Sequence, residues 1–166
     1  MGASLFLLFL VMGATGLLLG WKKHSGGLIL APTYQGSSTD LEEWLDLDSL
    51  RLIAYQALHR EVDSTLSLAL DRIDCRPEKG TVKFVFADHY WGVQVDAATG
   101  RVLHLEHRTA DLLENIHDGS ILDKQLNTAG DYLKLIYISL MGLALLGFSV
   151  TGFWLWYGPK VLRGSQ

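Results

Sequence analysis

Six histidines and a single cysteine are the residues of this 166-residue sequence with the widest chemical range. His104 and His107 flank Glu106 within a run of alternating polarity. Alternation along a strand sends residues three apart to opposite faces, which separates the two imidazoles. They read as one surface and one packed histidine rather than a metal pair. Cys75 has no histidine within a few positions to activate it and is expected to be a structural thiol. One cysteine also excludes an intrachain disulfide and a cysteine-only zinc or iron–sulfur site. Ser25, Ser37 and Ser38 lie outside any G-x-S-x-G context, and no P-loop or G-x-G-x-x-G occurs. His24 and His117 differ, because each stands near the end of an element that adjoins a long apolar run, on its hydrophilic side. Two imidazoles so placed have the chemistry to hold a haem or an iron ion. Two interfacial polar side chains are the plainer reading.

The elements that would position those residues follow from where charge is missing. The chain is 49% hydrophobic and 19% charged, with a mean hydropathy of +0.20, too apolar for an ordinary soluble domain of this size. All of its 14 Lys+Arg and 18 Asp+Glu lie outside residues 2–21 and 135–157. The first stretch, 20 residues or about 30 Å of helix, matches the hydrocarbon thickness of a bilayer. It lacks a basic leading region and an A-x-A-like cleavage site, so it is expected to be an anchor rather than a cleaved signal. The second closes with Trp154, Trp156 and Tyr157 before Pro159 and Lys160, an interfacial aromatic belt with a helix stop and a basic anchor. Gly13, Gly16 and Gly20 on the first run, and Gly147 and Thr151 on the second, permit close helix contact. Neither run contains a His, Asp, Glu, Lys or Arg, which excludes a proton relay or a bis-histidine haem inside the membrane.

Between the runs lies one small hydrophilic domain. Residues 36–130 carry nine Lys+Arg against seventeen acids, a balance that repels phosphate backbones and excludes nucleic acid as a partner. Leu50, Ile53, Ala54, Ala57 and Leu58 recur with helical spacing, and Asp48 or Ser49 is the expected N-cap. Val82, Phe84 and Phe86, then Trp91, Val93 and Val95, alternate as two half-buried strands meeting at Asp88-His89-Tyr90. An earlier strand over 73–76 turns at Glu78-Lys79-Gly80, and a change of parity between Leu70 and Ile73 predicts a bulge or a late start there. Ala97-Ala98-Thr99-Gly100 turns into a fourth strand over 101–108. Thr109 is placed to cap a last helix containing Leu113, Ile116 and His117, and a short connection over 118–130 leads to the second run. The fold class is therefore α+β: a small antiparallel sheet with a packed helix, flanked by two transmembrane helices. The divisions are a first span over 1–21, a linker over 22–39, a domain over 40–123, a second span over 133–157 and a tail over 158–166. Lys160 and Arg163 on one side and Lys22, Lys23 and Lys134 on the other nearly balance, so charge alone leaves the orientation open.

The turn Val95-Asp96-Ala97-Ala98-Thr99-Gly100-Arg101-Val102 resembles the strand–turn–strand signature of PepSY domains. Thr15-Gly16-Leu17-Leu18-Leu19-Gly20-Trp21-Lys22-Lys23, Ile116-His117-Asp118-Gly119 and Thr151-Gly152-Phe153-Trp154-Leu155-Trp156 resemble the PepSY-associated transmembrane family in a short form, with one PepSY unit between two spans. The resemblance implies a bacterial inner-membrane protein with a periplasmic central domain and both ends cytoplasmic. A domain with a coherent core and no convincing reactive constellation points to a non-catalytic binding or accessory module with a membrane or periplasmic protein partner, and the resemblance implies a place in iron or siderophore acquisition. Some larger members resemble ferric-siderophore reductases that bind haem b through histidines. Only His117, in its I-H-D-G setting, falls where the family's L-H-x-G histidine lies. A haem site would thus take its second ligand from His24, from another copy in a homo-oligomer, or from a partner. No catalytic residue and no separate metal site is expected.

Overall fold

A computed structural model describes residues 2–126, 128 and 130–164. The chain divides into two compact units, one of Leu18–Leu112 and one that joins Met1–Leu17 to Leu113–Gln166.

The first unit is α+β. Helix α2, Leu47–Glu61, packs on a four-stranded antiparallel sheet of β1 (Leu70–Arg76), β2 (Thr81–Phe86), β3 (Trp91–Asp96) and β4 (Val102–His107), arranged in chain order. Leu50, Ala54, Ala57 and Leu58 of α2 meet Val82, Phe84, Phe86, Val93 and Val95, and all of these are buried. The apolar periodicities thus pair into one core. The parity change in β1 is a bulge, since Leu70 faces Phe86 while Arg72 faces Val85. Helix α2 begins earlier than Asp48 or Ser49. Asp46 is its N-cap, with its carboxylate accepting from the Ser49 N–H at 2.8 Å and from the Ser49 hydroxyl at 2.6 Å. Ser49 is therefore the donor to the cap rather than the cap itself.

The second unit is helical. Its elements are the body of α1 (Gly2–Gly20), the end of α3 (Thr109–His117), α4 (Ser120–Leu126) and α5 (Tyr132–Gly164). Helix α4 stands where the sequence suggested a plain connection. Gly119, at a φ of +78°, turns the chain after α3, and the Asp118 carboxylate then accepts the Ser120 N–H at 2.9 Å. This turn starts α4. Helix α5 is long and apolar enough over Tyr132–Lys160 to cross a membrane, whereas the apolar part of α1 within the described residues covers Leu5–Gly20. By length and composition, one membrane-crossing helix is found among the described residues. Pro159, expected to stop the second span, lies inside α5, which runs on to Gly164. A proline there removes one N–H from a 33-residue helix, and the Lys160 ammonium, 3.7 Å over the Trp156 ring, ties the turn across it.

Candidate functional site

In the sheet unit the polar side chains are engaged with one another. The sheet face turned away from α2 carries Thr81, Lys83, Gln94, Asp96, His104 and Glu106. Residues 32–38, read from sequence as part of a linker, lie across this face. The Gln94 amide accepts from the Tyr34 N–H at 3.1 Å and donates to the Pro32 carbonyl at 3.0 Å and to Glu106. Glu106, 4% exposed, also pairs with Lys83. Thr81 donates to the Tyr34 carbonyl at 2.8 Å. The crossing is close at two glycines: a Cβ on Gly36 would stand 2.0 Å from the Gly80 carbonyl oxygen. No side chain fits there.

Asp96, from the D-A-A-T-G turn, joins that segment to the sheet. Its carboxylate accepts from the Ser37 N–H at 3.1 Å and the Ser37 hydroxyl at 2.9 Å, and from the Ala98 N–H at 3.1 Å. Burial opposes its ionisation, but the hydrogen bonds from Thr99, Ser37 and Ala98 outweigh it and hold the carboxyl below its usual range. The turn is visible in the sequence but its partner is not, because Ser37 is 59 positions away.

His117 ends α3 and is half-buried. Its Nδ1 lies 3.1 Å from the Met12 carbonyl and 3.0 Å from the Thr15 hydroxyl. The Thr15 hydroxyl is 2.7 Å from the Val11 carbonyl, to which it donates. A carbonyl only accepts, so Nδ1 carries the proton, and in the neutral ring Nε2 is left with its lone pair. This is the arrangement in which a histidine presents Nε2 to a metal while a backbone carbonyl orients the ring. Gly16 supplies the room: a Cβ there would stand 3.2 Å from His117 Cε1. Thr15-Gly16 and Ile116-His117, two segments noted separately in the sequence, thus meet at one imidazole. Donors and acceptors a hundred positions apart leave no local pattern to read.

The residues after His117 complete this corner of the unit. Asp118 pairs with Lys134 at 2.6 Å. Burial works against the Asp118 charge, yet hydrogen bonds from Lys134 and Ser120 prevail and lower its pKa. Asp123 accepts from the Lys134 N–H at 2.7 Å, from the Leu133 N–H at 3.2 Å and from the Thr128 hydroxyl. It therefore satisfies backbone donors that the first turn of α5 cannot bond internally. A cleft of about 350 Å³ between α1 and α5 is lined by Phe9, Met12, Gly13, Ile138, Met141, Gly142 and Leu145. Met12 borders the cleft and also orients His117 through its carbonyl.

The remaining candidates are distributed elsewhere. His24 lies in a single 3₁₀ turn, Lys22–His24, of the other unit, exposed and edge-on to Trp21 with ring centres 6.4 Å apart. His104 packs on Tyr34 at 5.0 Å on the outer sheet face, and His107 packs on Trp91 at 5.5 Å on the other, so the two rings point apart as expected. Cys75 is a free thiol, exposed on the edge strand β1. Among the described residues no three His, Cys, Asp or Glu side chains gather as a metal site.

The family model described as the PepSY-associated TM region matches residues 1–164. The chain belongs to that family. Comparison with curated proteins and with solved structures gives no match. Membership makes this a PepSY-type membrane protein, and the long apolar α5 agrees with it. Within that family, the segments Thr15-Gly16 and Ile116-His117-Asp118-Gly119 now have a shared physical role, which is to fix the His117 ring.

Proposed function

We propose that this chain is a membrane-anchored accessory module that acts by binding rather than catalysis. In this reading α1 and α5 both span the bacterial inner membrane, the PepSY unit faces the periplasm, both ends of the chain are cytoplasmic, and the module serves iron or siderophore acquisition. The observation that carries it is the contrast between the two sides of the sheet unit. On the outer sheet face Glu106 is buried and paired with Lys83, and Asp96 is buried and bonded to Ser37. The far side of α2 instead offers an apolar groove of about 650 Å³ along Leu52, Tyr55, His59 and Leu68, with Leu52 54% exposed. Such a groove takes an apolar side chain of a protein partner. Deleting residues 36–123 while keeping α1 and α5 should abolish partner capture in a crosslinking pull-down from membranes. Undiminished capture contradicts the reading.

A second reading, a haem-binding subunit of an inner-membrane ferric-siderophore reductase, is favoured by the His117 geometry. The Nδ1–H bond to the Met12 carbonyl suits an axial ligand acting through Nε2. Haem so held would supply one-electron transfer, with the protein setting its potential through ligand and burial. His117 would provide one ligand, and His24, a second copy or a partner the other. In this case His117→Ala removes a haem absorbance band and leaves membrane insertion intact. A band that survives the substitution assigns the haem elsewhere.

A further inference from the structure

The loop that follows α1 combines three features that the proposed function leaves unused. From Trp21 to Thr39 it carries Lys22, Lys23 and His24 and no acidic residue, in a chain whose net charge is −4. Ser25, at φ −79° and ψ 4°, is followed by Gly26 at φ +63°. A right-handed residue followed by a left-handed one turns successive backbone N–H groups toward a common point and makes a nest for an anion. Among the described residues no hydrogen bond uses the N–H of Gly26 or Gly27, whereas the Ser25 N–H is turned toward the Lys22 carbonyl by the 3₁₀ turn. Beside them opens a cavity of about 410 Å³, lined by Lys23, Gly26, Gly27, Leu30, Pro32 and Thr33 among others. The Lys79 ammonium donates at 3.1 Å to the carbonyl of Thr33, one of the residues that line the cavity.

The apolar residues of the same loop indicate where such an anion would come from. Trp21 is 68% exposed and Leu28 82% exposed, directly after the apolar helical stretch Leu5–Gly20. Exposed tryptophan and leucine beside a lysine pair make the composition of a membrane interface, where rings and aliphatic groups enter the headgroup layer and ammonium groups stay at its polar edge. A soluble anion would have no use for Trp21 and Leu28. We propose that the Ser25-Gly26-Gly27 nest, with Lys22 and Lys23, binds the phosphate of an anionic phospholipid, whose acyl chains pass beside Trp21 and Leu28. The phosphodiester oxygens accept from the Gly26 and Gly27 N–H groups, and the lysines neutralise the net negative charge. This rests on α1 lying in the membrane.

The test uses the full chain, ¹⁵N-labelled, in maltoside micelles, which contain no phosphate. Dihexanoyl-phosphatidylglycerol is titrated in, with dihexanoyl-phosphatidylcholine and inorganic phosphate in parallel. The expected result is a saturable downfield shift of the Gly26 and Gly27 amides with phosphatidylglycerol, at least tenfold weaker with either other probe. Lys22→Gln with Lys23→Gln should weaken that binding about tenfold while leaving the sheet amides unmoved. Inorganic phosphate binding as tightly as the lipid, or phosphatidylcholine as tightly as phosphatidylglycerol, overturns the assignment to an anionic lipid. Unmoved glycine amides overturn it while leaving the membrane placement intact, provided the α1 amides stay protected from exchange with D₂O. Freely exchanging α1 amides overturn the membrane placement of α1 as well.

Discussion

On the outer face of the sheet, Gln94 bonds to Tyr34, Pro32 and Glu106, and Glu106 bonds in turn to Lys83. At the end of α3, His117 bonds among the described residues through Nδ1 alone, to Met12 and Thr15. Both regions bury polar groups, but the first closes its network and the second leaves one ring nitrogen uncommitted. A closed network specifies a fold, because each buried donor and acceptor has one arrangement that satisfies it. A half-used imidazole on a fixed ring is instead a group prepared for a ligand. The sheet unit is therefore a closed scaffold on this face, and the helical unit holds the ring nitrogen left open to a ligand.

That contrast can be broken first at Gly36. A valine there drives its Cβ to within 2.0 Å of the Gly80 carbonyl oxygen, into space that only glycine leaves empty. Gly36→Val should destabilise the sheet unit by more than about 3 kcal/mol, read from denaturant unfolding of the purified protein. A loss below about 1 kcal/mol would mean that residues 32–38 do not cross the sheet this closely. Glu106→Ala comes next, at about 3 kcal/mol, because it strands the Lys83 ammonium and the Gln94 amide. Pairing Glu106→Leu with Lys83→Met should recover most of that loss, whereas additive losses would show that the two side chains do not interact.

His117→Ala sharpens the other side of the comparison. It removes a hydrogen bond worth about 1 kcal/mol and should leave the unfolding of the sheet unit unchanged within error. A shift of that transition as large as the Glu106 effect would show that His117 belongs to the scaffold. The smallest effect is that of acid on Asp96. Its folded pKa is lowered, so its contribution to stability is complete above the unfolded value of about 4 and disappears as pH falls through the lower folded value. Asp96→Asn should flatten the acid limb of the stability profile; an unchanged limb would assign that dependence to other carboxylates.

Much of the sheet unit was legible in the sequence. Val82, Phe84, Phe86, Val93 and Val95 alternate because one face packs on α2, and the parity change before Ile73 located the β1 bulge. Residues 32–38 were not legible, since their pairing with Gln94, Asp96 and Thr81 lies some 47–62 positions along the chain and leaves no period. Helix α4 escaped because a seven-residue element carries too few turns to show an amphipathic stripe. At the candidate site His117 was recognisable from its I-H-D-G setting, but its orientation by Met12 and Thr15 depends on tertiary contact. His24 had the same residue type, and among the described residues its exposed turn supplies no comparable partner beyond the edge of Trp21.

Binding of a protein partner through the groove on the far side of α2 is the central claim for the PepSY unit. The most direct measurement places a photo-crosslinking amino acid at Gln56, which is exposed on that groove, in the full chain in cells. The expected result is a discrete adduct with one membrane or periplasmic protein, reduced at least tenfold by Leu52→Asp. An adduct indifferent to Leu52→Asp, or none from Gln56 while positions on α5 crosslink efficiently, would contradict it.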